Sequence, residues 1–163
     1  MSAPRPSAPP RALRPIGSGG FAHWLRGLVG RAPPKAEVVA PPALRLGEQL
    51  ELTWRLDYGA RDVTNISVAL VGSEVARQRI SARTGISIVT DRRPFLTLEI
   101  DRRMPDRDAR TADGRGAVVV PASTVPSIGG RLNEIAWAIV VEAAHQATPL
   151  WTGAFPVIVL PVA

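Results

Sequence analysis

The sequence predicts an all-β protein, an antiparallel β-sandwich of seven to nine strands with a disordered basic arm at its N-terminus. Three observations predict it. First, two stretches alternate with a period of two: Leu50, Leu52, Trp54 and Leu56 against Glu51, Thr53, Arg55 and Asp57, and Ile135, Trp137, Ile139 and Val141 against Glu134, Ala136, Ala138, Val140 and Glu142. Strand side chains change face at every residue, so each stretch buries one face. Second, no segment of residues 37–163 sustains the 3.6-residue period of a capped helix. Third, 16 Pro and 14 Gly in 163 residues break the chain into short runs at turn-delimited spacing.

The arm comes first. Residues 1–36 hold Arg5, Arg11, Arg14, Arg26, Arg31 and Lys35 and no acid, so six of the 20 basic residues lie here and the remaining 14 face all 14 acidic ones. The net charge of +6 therefore belongs to the arm, and the folded body is neutral. Met1–Gly20 is rich in Pro, Ala, Arg, Ser and Gly. Such a composition buries too little apolar surface to offset a backbone ordering cost of roughly 1–2 kcal/mol per residue. The arm's one apolar patch is Phe21–Val29, where Phe21, Trp24, Leu25 and Leu28 share a helical face. With Arg26 and Arg31 beside it, that patch suits either the domain's own surface or an anionic membrane. No window approaches the roughly 18–20 apolar residues of a membrane-spanning helix, and no secretory signal is expected.

The body, residues 37–163, then reads as a succession of strands. Glu37–Gly47 is a first strand interrupted at Pro41-Pro42, which confines it to a sheet edge. Glu48–Tyr58 has one wet and one buried face, and Tyr58–Asp62 is a turn. Asn65–Val75 alternates through Ile66, Val68 and Leu70 and continues towards Arg79, before a polar break at Ser81–Thr84. Ile86–Val89 and Pro94–Ile100 form two strands around an Asp91-Arg-Arg-Pro turn. Asp101–Gly116 is a charged loop, and Val118–Val120 resumes the sheet. The Ile135–Val141 strand has a small rather than polar second face, which implies partial cover by a neighbour. Leu150-Trp151-Thr-Gly153 is a turn, and Phe155–Leu160 closes the domain. Trp54 and Trp137 hold equivalent places in the two best strands and are expected to face each other in the core.

The residues of the C-terminal third resemble arrestin-like sandwiches of the immunoglobulin type. The features are Val120-Pro121, the bend at Ser123 and Pro126-Ser127, the Ile135/Trp137/Ile139/Val141 strand and the Phe155/Val157/Val159 closing strand. The Leu46-Gly-Glu-Gln-Leu-x-Leu-x-Trp start and the Val71-Gly-Ser-Glu74 strand end look similar too. The likeness is nearest to uncharacterised bacterial single-domain proteins of this shape. It implies a sandwich with a scaffolding or adaptor role and no active site. With room for one sandwich only, the inter-domain phosphate sensor of eukaryotic arrestins has no counterpart.

The remaining chemistry is sparse. There is no cysteine, so thiolate metal sites, disulfides and cysteine nucleophiles are excluded. His23 and His145 stand apart from any second ligand. No Gly-x-Ser-x-Gly, Walker loop or dinucleotide fingerprint occurs. Asp106, Asp108 and Asp113 lack the spacing of a calcium loop, and Arg102, Arg103, Arg107 and Arg110 neutralise them. The expectation is a non-enzymatic protein-interaction or scaffolding module without catalytic, metal or cofactor residues. It lies in the cytoplasm and takes an unidentified protein partner. The alternative is a peripheral membrane protein that holds anionic lipid weakly through the arm. Neither nucleic acid nor a small-molecule substrate is expected. The candidate contact residues are Phe21, Trp24 and Arg26 in the arm, and Trp151.

Overall fold

The computed structural model describes residues 9–15, 33–82 and 85–163. Nine strands make two sheets: β1 (Arg11–Ala12), β2 (Lys35–Ala40), β3 (Ala43–Arg45), β4 (Gln49–Asp57), β5 (Asn65–Ala82), β6 (Gly85–Arg103), β7 (Thr111–Val119), β8 (Asn133–His145) and β9 (Thr148–Leu160). One sheet runs β1-β2-β4-β7 and the other β3-β9-β8-β5-β6. All pairings are antiparallel except β3–β9.

β4 shows why the alternation was a good guide. Its exposed and buried residues alternate without a break, and Leu50, Leu52, Trp54 and Leu56 are all in the core. They meet Ile66, Val68 and Leu70 of β5, Trp137, Ile139 and Val141 of β8, and Phe155, Val157 and Val159 of β9. β8 lies at the centre of the five-stranded sheet, and its second face is half covered; Ala138 there is buried. Both tryptophans are in the core, but each has its own partner. The Trp54 indole N–H donates to Asp101 Oδ2 (3.0 Å), and that of Trp137 to the Val125 carbonyl (3.0 Å). Among the described residues the aromatic pair is Phe95–Trp137, edge to face at 5.6 Å. The expected indole-to-indole contact is replaced by these separate anchors, which satisfy each buried N–H.

Several expectations are corrected. Pro41-Pro42 does not merely interrupt an edge strand. It carries the chain from one sheet to the other, with β2 lying between β1 and β4 and β3 extending the second sheet beside β9. The segment Gly85–Arg103 is one strand of 19 residues, not two strands around a turn. Two register shifts against β5 absorb its irregularity, and Pro94 sits opposite Ser73 at one of them. Most of Asp101–Gly116 is strand as well: β6 runs to Arg103, β7 starts at Thr111, and only 104–110 connects them. The four-stranded sheet also reaches into the stretch assigned to a disordered arm. Arg11 and Ala12 pair with Ala40 and Val39, and β2 begins at Lys35.

β6 and β7 close one side of the sandwich, although they belong to different sheets. Gly114 and Gly116 of β7 make this approach close. A Cβ on Gly116 would stand 2.6 Å from Ile100 Cγ2 and 2.7 Å from the Ile100 carbonyl oxygen. Asp101 lies at this seam, holding the Trp54 N–H and accepting from Arg103 Nε at 3.1 Å.

Tyr58, just beyond β4, is the one buried side chain whose polar atom has no partner among the described residues: its hydroxyl is sequestered and unbonded. Burial, helped by the nearby charge of Asp106, raises its ionisation above the ordinary value of 10.0. The neutral phenol is therefore the favoured folded form. Its contribution is fully present below the unfolded value and is lost as pH rises from about 10 through the raised folded value. Tyr58→Phe is expected to unfold at the same or a slightly higher temperature near neutral pH, because an unpartnered hydroxyl is removed. The variant should also lose part of the alkaline fall in stability; thermal melts from pH 8 to 11 check both (the interval brackets a tyrosine pKa of about 10).

Candidate functional site: the open edge of β9

An open sheet edge can take another chain through its unpaired N–H and C=O groups, so the edges are compared first. The edges here differ sharply. β7 is closed against β6. β1 has only two residues. β6 is long, yet it carries Asp91, Arg92, Arg93 and Pro94 along its middle and two bulges, all features that discourage pairing.

β9 is different. Its inner side pairs with β8 from Trp137↔Val157 to His145↔Thr148. Its outer side meets β3 only at Ile158, Val159 and Leu160, with Ile158 N–H also bonded to the Pro42 carbonyl (2.9 Å). Among the described residues nothing pairs with the outer side of residues 148–157. No charged side chain occurs anywhere in 146–163, and the only guards are Pro149 and Pro156. They bracket Leu150-Trp-Thr-Gly-Ala-Phe155, a stretch with every backbone N–H intact.

Trp151 lies in this stretch. It is not in a turn, as the Thr-Gly sequence suggested: it is a β9 residue opposite Ala143, and the turn falls earlier, at Gln146-Ala147. Its indole is half-buried and packs with Leu150 against the core. Gly153 is required beneath it, since a Cβ there would meet the ring, with Cζ2 at 2.9 Å. The ring is thus a fixed, partly exposed shoulder beside the open edge. Phe21, Trp24 and Arg26 lie outside the described residues, as does His23. His145 is held locally, with Nδ1 3.1 Å from the Asp62 carbonyl oxygen and 3.3 Å from its carboxylate.

Acid–base chemistry finds little to work with. The hydrogen bond from Arg102 holds the Glu99 carboxyl below its ordinary range, but both groups lie on the surface in an ion pair. A hollow of about 570 Å³ opens beside Glu74, Asp91, Arg93, Glu134 and Ile135, and another of about 480 Å³ beside Val39, Glu51, Thr53 and Arg115. Tyr58 and Glu99 line neither. Among the described residues no three of His, Asp and Glu gather as metal ligands.

The two sheets, their order and their shared core make this an arrestin-like β-sandwich. Among solved structures the chain is similar to Spo0M, the sporulation control protein of Bacillus subtilis, with a TM-score of 0.50 and 13% sequence identity. The match covers 81% of this chain and 51% of that one, so the chain spans about half the length of Spo0M. At this identity the likeness speaks for the fold. No protein-family model matches the chain, and no curated protein matches it. Among the described residues no helix is long and apolar enough to cross a membrane.

Proposed function

We propose that this chain is a non-enzymatic interaction module that takes an extended segment of a partner protein as an added strand along β9. The carrying observation is the contrast between edges: β6 is guarded by charge, proline and bulges, whereas the outer side of β9 from Leu150 to Phe155 is uncharged and free of proline. Backbone hydrogen bonds supply affinity in such a complex, and side chains at alternate positions supply selectivity. Trp151, fixed beside the edge, offers the large, rigid contact surface that concentrates binding energy at interfaces. The likeness to a sporulation control protein agrees with a regulatory rather than a catalytic part.

Selection of extended peptides from a displayed random library, followed by calorimetry, tests this. Ala154 has the same strand phase as Pro156, which the β8–β9 ladder accommodates opposite Ala138. Ala154→Pro should therefore leave the melting temperature close to wild type while weakening selected peptides by roughly tenfold or more, the value of one or two lost backbone bonds. Peptides that bind the variant as well as the parent would refute the β9 edge as the site.

A further inference from the structure

The two sheets differ on their outer faces. On the four-stranded sheet, Glu37, Arg55 and Asp113 form one row across β2, β4 and β7, and Lys35 pairs with Asp57 in the next. Opposite charges in such rows suit a face turned to water. The five-stranded sheet is unlike it. Its inward residues include Leu70, Ile139 and Phe155, so the alternate positions of β5, β8 and β9 point outward. Successive outward rows read Ser67–Glu142–Thr152, Ala69–Val140–Ala154 and Val71–Ala138–Pro156, and Ser73–Ala136 follows. Arg102, Glu99, Thr97 and Pro94 of β6 flank these rows in the same order.

From 69 to 73, 136 to 140 and 154 to 158 these strands hold no charge. The floor of the face is low: Ala138 and Ser73 are 3% and 2% exposed, whereas Pro156 and Ile158 of β9 stand in solvent. Among the described residues no strand lies over it, because the other sheet packs on the inner face. Glu142 at its rim has no ion pair among the described residues, and Arg102 is held beside Glu99.

We propose that this face packs on the same face of a second copy, about a two-fold axis that runs parallel to the strands between β5 and β8. Such an axis lays β5 of each copy on β8 of the other. Row falls on row in reverse order, so Val140 meets the partner's Ala69, and Val71 meets the partner's Ala138. In both rows a valine fills the space over an alanine, which is how facing sheets interdigitate. Glu142 falls on the partner's Ser67, one strand spacing of about 4.8 Å from the partner's Arg102. A two-fold across the strands would match sizes too, but it would set Glu142 over the partner's Ala136, next to the partner's Glu134. Charge therefore selects the first axis. With strands about 4.8 Å apart and rows about 6.7 Å apart, the face covers about 600 Å² per copy. The pair buries roughly 1,200 Å², enough for a specific interface. The edge groups of β9 point sideways in the plane of the sheet, so this contact neither uses nor needs them.

Sedimentation velocity of the full chain, loaded at roughly 1–300 µM, tests the pairing. The wild type is expected to pass from monomer to dimer, and Val71→Lys to stay monomeric. Glu142→Arg and Arg102→Glu should each weaken the dimer by roughly tenfold or more, since each sets like charges together. An equimolar mixture of those two variants should restore it, because every rim contact between them again joins an arginine to a glutamate. Circular dichroism spectra matching wild type show that the variants are folded; should Val71→Lys fail this check, the charge variants decide alone. A wild type that stays monomeric at every loading would overturn the proposal. So would a dimer indifferent to all three substitutions, which would place the contact on the β9 edge or the arm. A mixture no tighter than its parts would overturn it as well, since the strand-parallel axis requires these residues to meet.

Discussion

Trp137→Ala is expected to lower the unfolding free energy by about 3–5 kcal/mol, a large share of the stability of a domain of this size. The side chain is 2% exposed and touches Phe95 edge to face. Its removal leaves a cavity at the centre of the five-stranded sheet and strips the Val125 carbonyl of its donor. Trp54→Ala should cost a similar amount through a different partner, because it leaves Asp101 at the β6–β7 seam without the indole N–H. The two indoles have separate anchors, so their losses should add to within a few tenths of a kcal/mol. Urea unfolding checks this: midpoints should fall at a constant slope for both variants. An unchanged midpoint for either would contradict its place in the core.

Gly116→Ala is expected to destabilise by about 1–3 kcal/mol through overpacking, with no cavity involved. The added methyl points at the Ile100 backbone, and backbone gives way less readily than a side chain end. Gly114→Ala should behave alike, since its Cβ would crowd the Asp101 carboxylate and stand 2.8 Å from Trp54 Nε1. Gly129→Ala is the control, with nothing within 4 Å of the added atom. The same urea titration reads all three. Equal midpoints for the 116 and 129 variants would mean that the sandwich is open at β6–β7.

These glycines also explain where the sequence was hard to read. β4 and β8 announce themselves because their inward positions hold large apolar residues. β7 alternates just as regularly, but its inward positions are Ala112, Gly114, Gly116 and Val118. Small residues are needed there to let β6 approach, so hydropathy carries no signal and the segment passes for a charged loop. Asp91-Arg-Arg-Pro has the composition of a turn for a related reason. It lies where β6 starts to outrun the rest of its sheet, with solvent reaching its side chains. Thr152-Gly153 beside Trp151 misleads in the same way, since that glycine makes room for a ring.

The candidate site was legible only in part. Trp151 stands out as a large aromatic beside Thr152-Gly153, and the structure places it beside the edge proposed for binding. The openness of that edge depends on strand order, which neighbouring residues do not encode. β3, 115 positions from its partners in β9, covers only Ile158–Leu160. A β3 a few residues longer would have hidden the edge. Ile80, Ile88 and Val89 read in sequence as ordinary strand residues, yet all three are exposed. Their exposure follows from where β8 ends, at Asn133.

Amide hydrogen exchange across β9, followed residue by residue by NMR on the full chain, tests the central claim most directly. An edge strand bonded on one side should show alternating protection from Leu150 to Phe155, slow where the N–H points to β8 and fast where it points outward. Beyond Val157, where β3 pairs with it, protection should become continuous. Uniformly slow exchange from Leu150 to Phe155 would mean that the edge is already occupied, and would contradict the account.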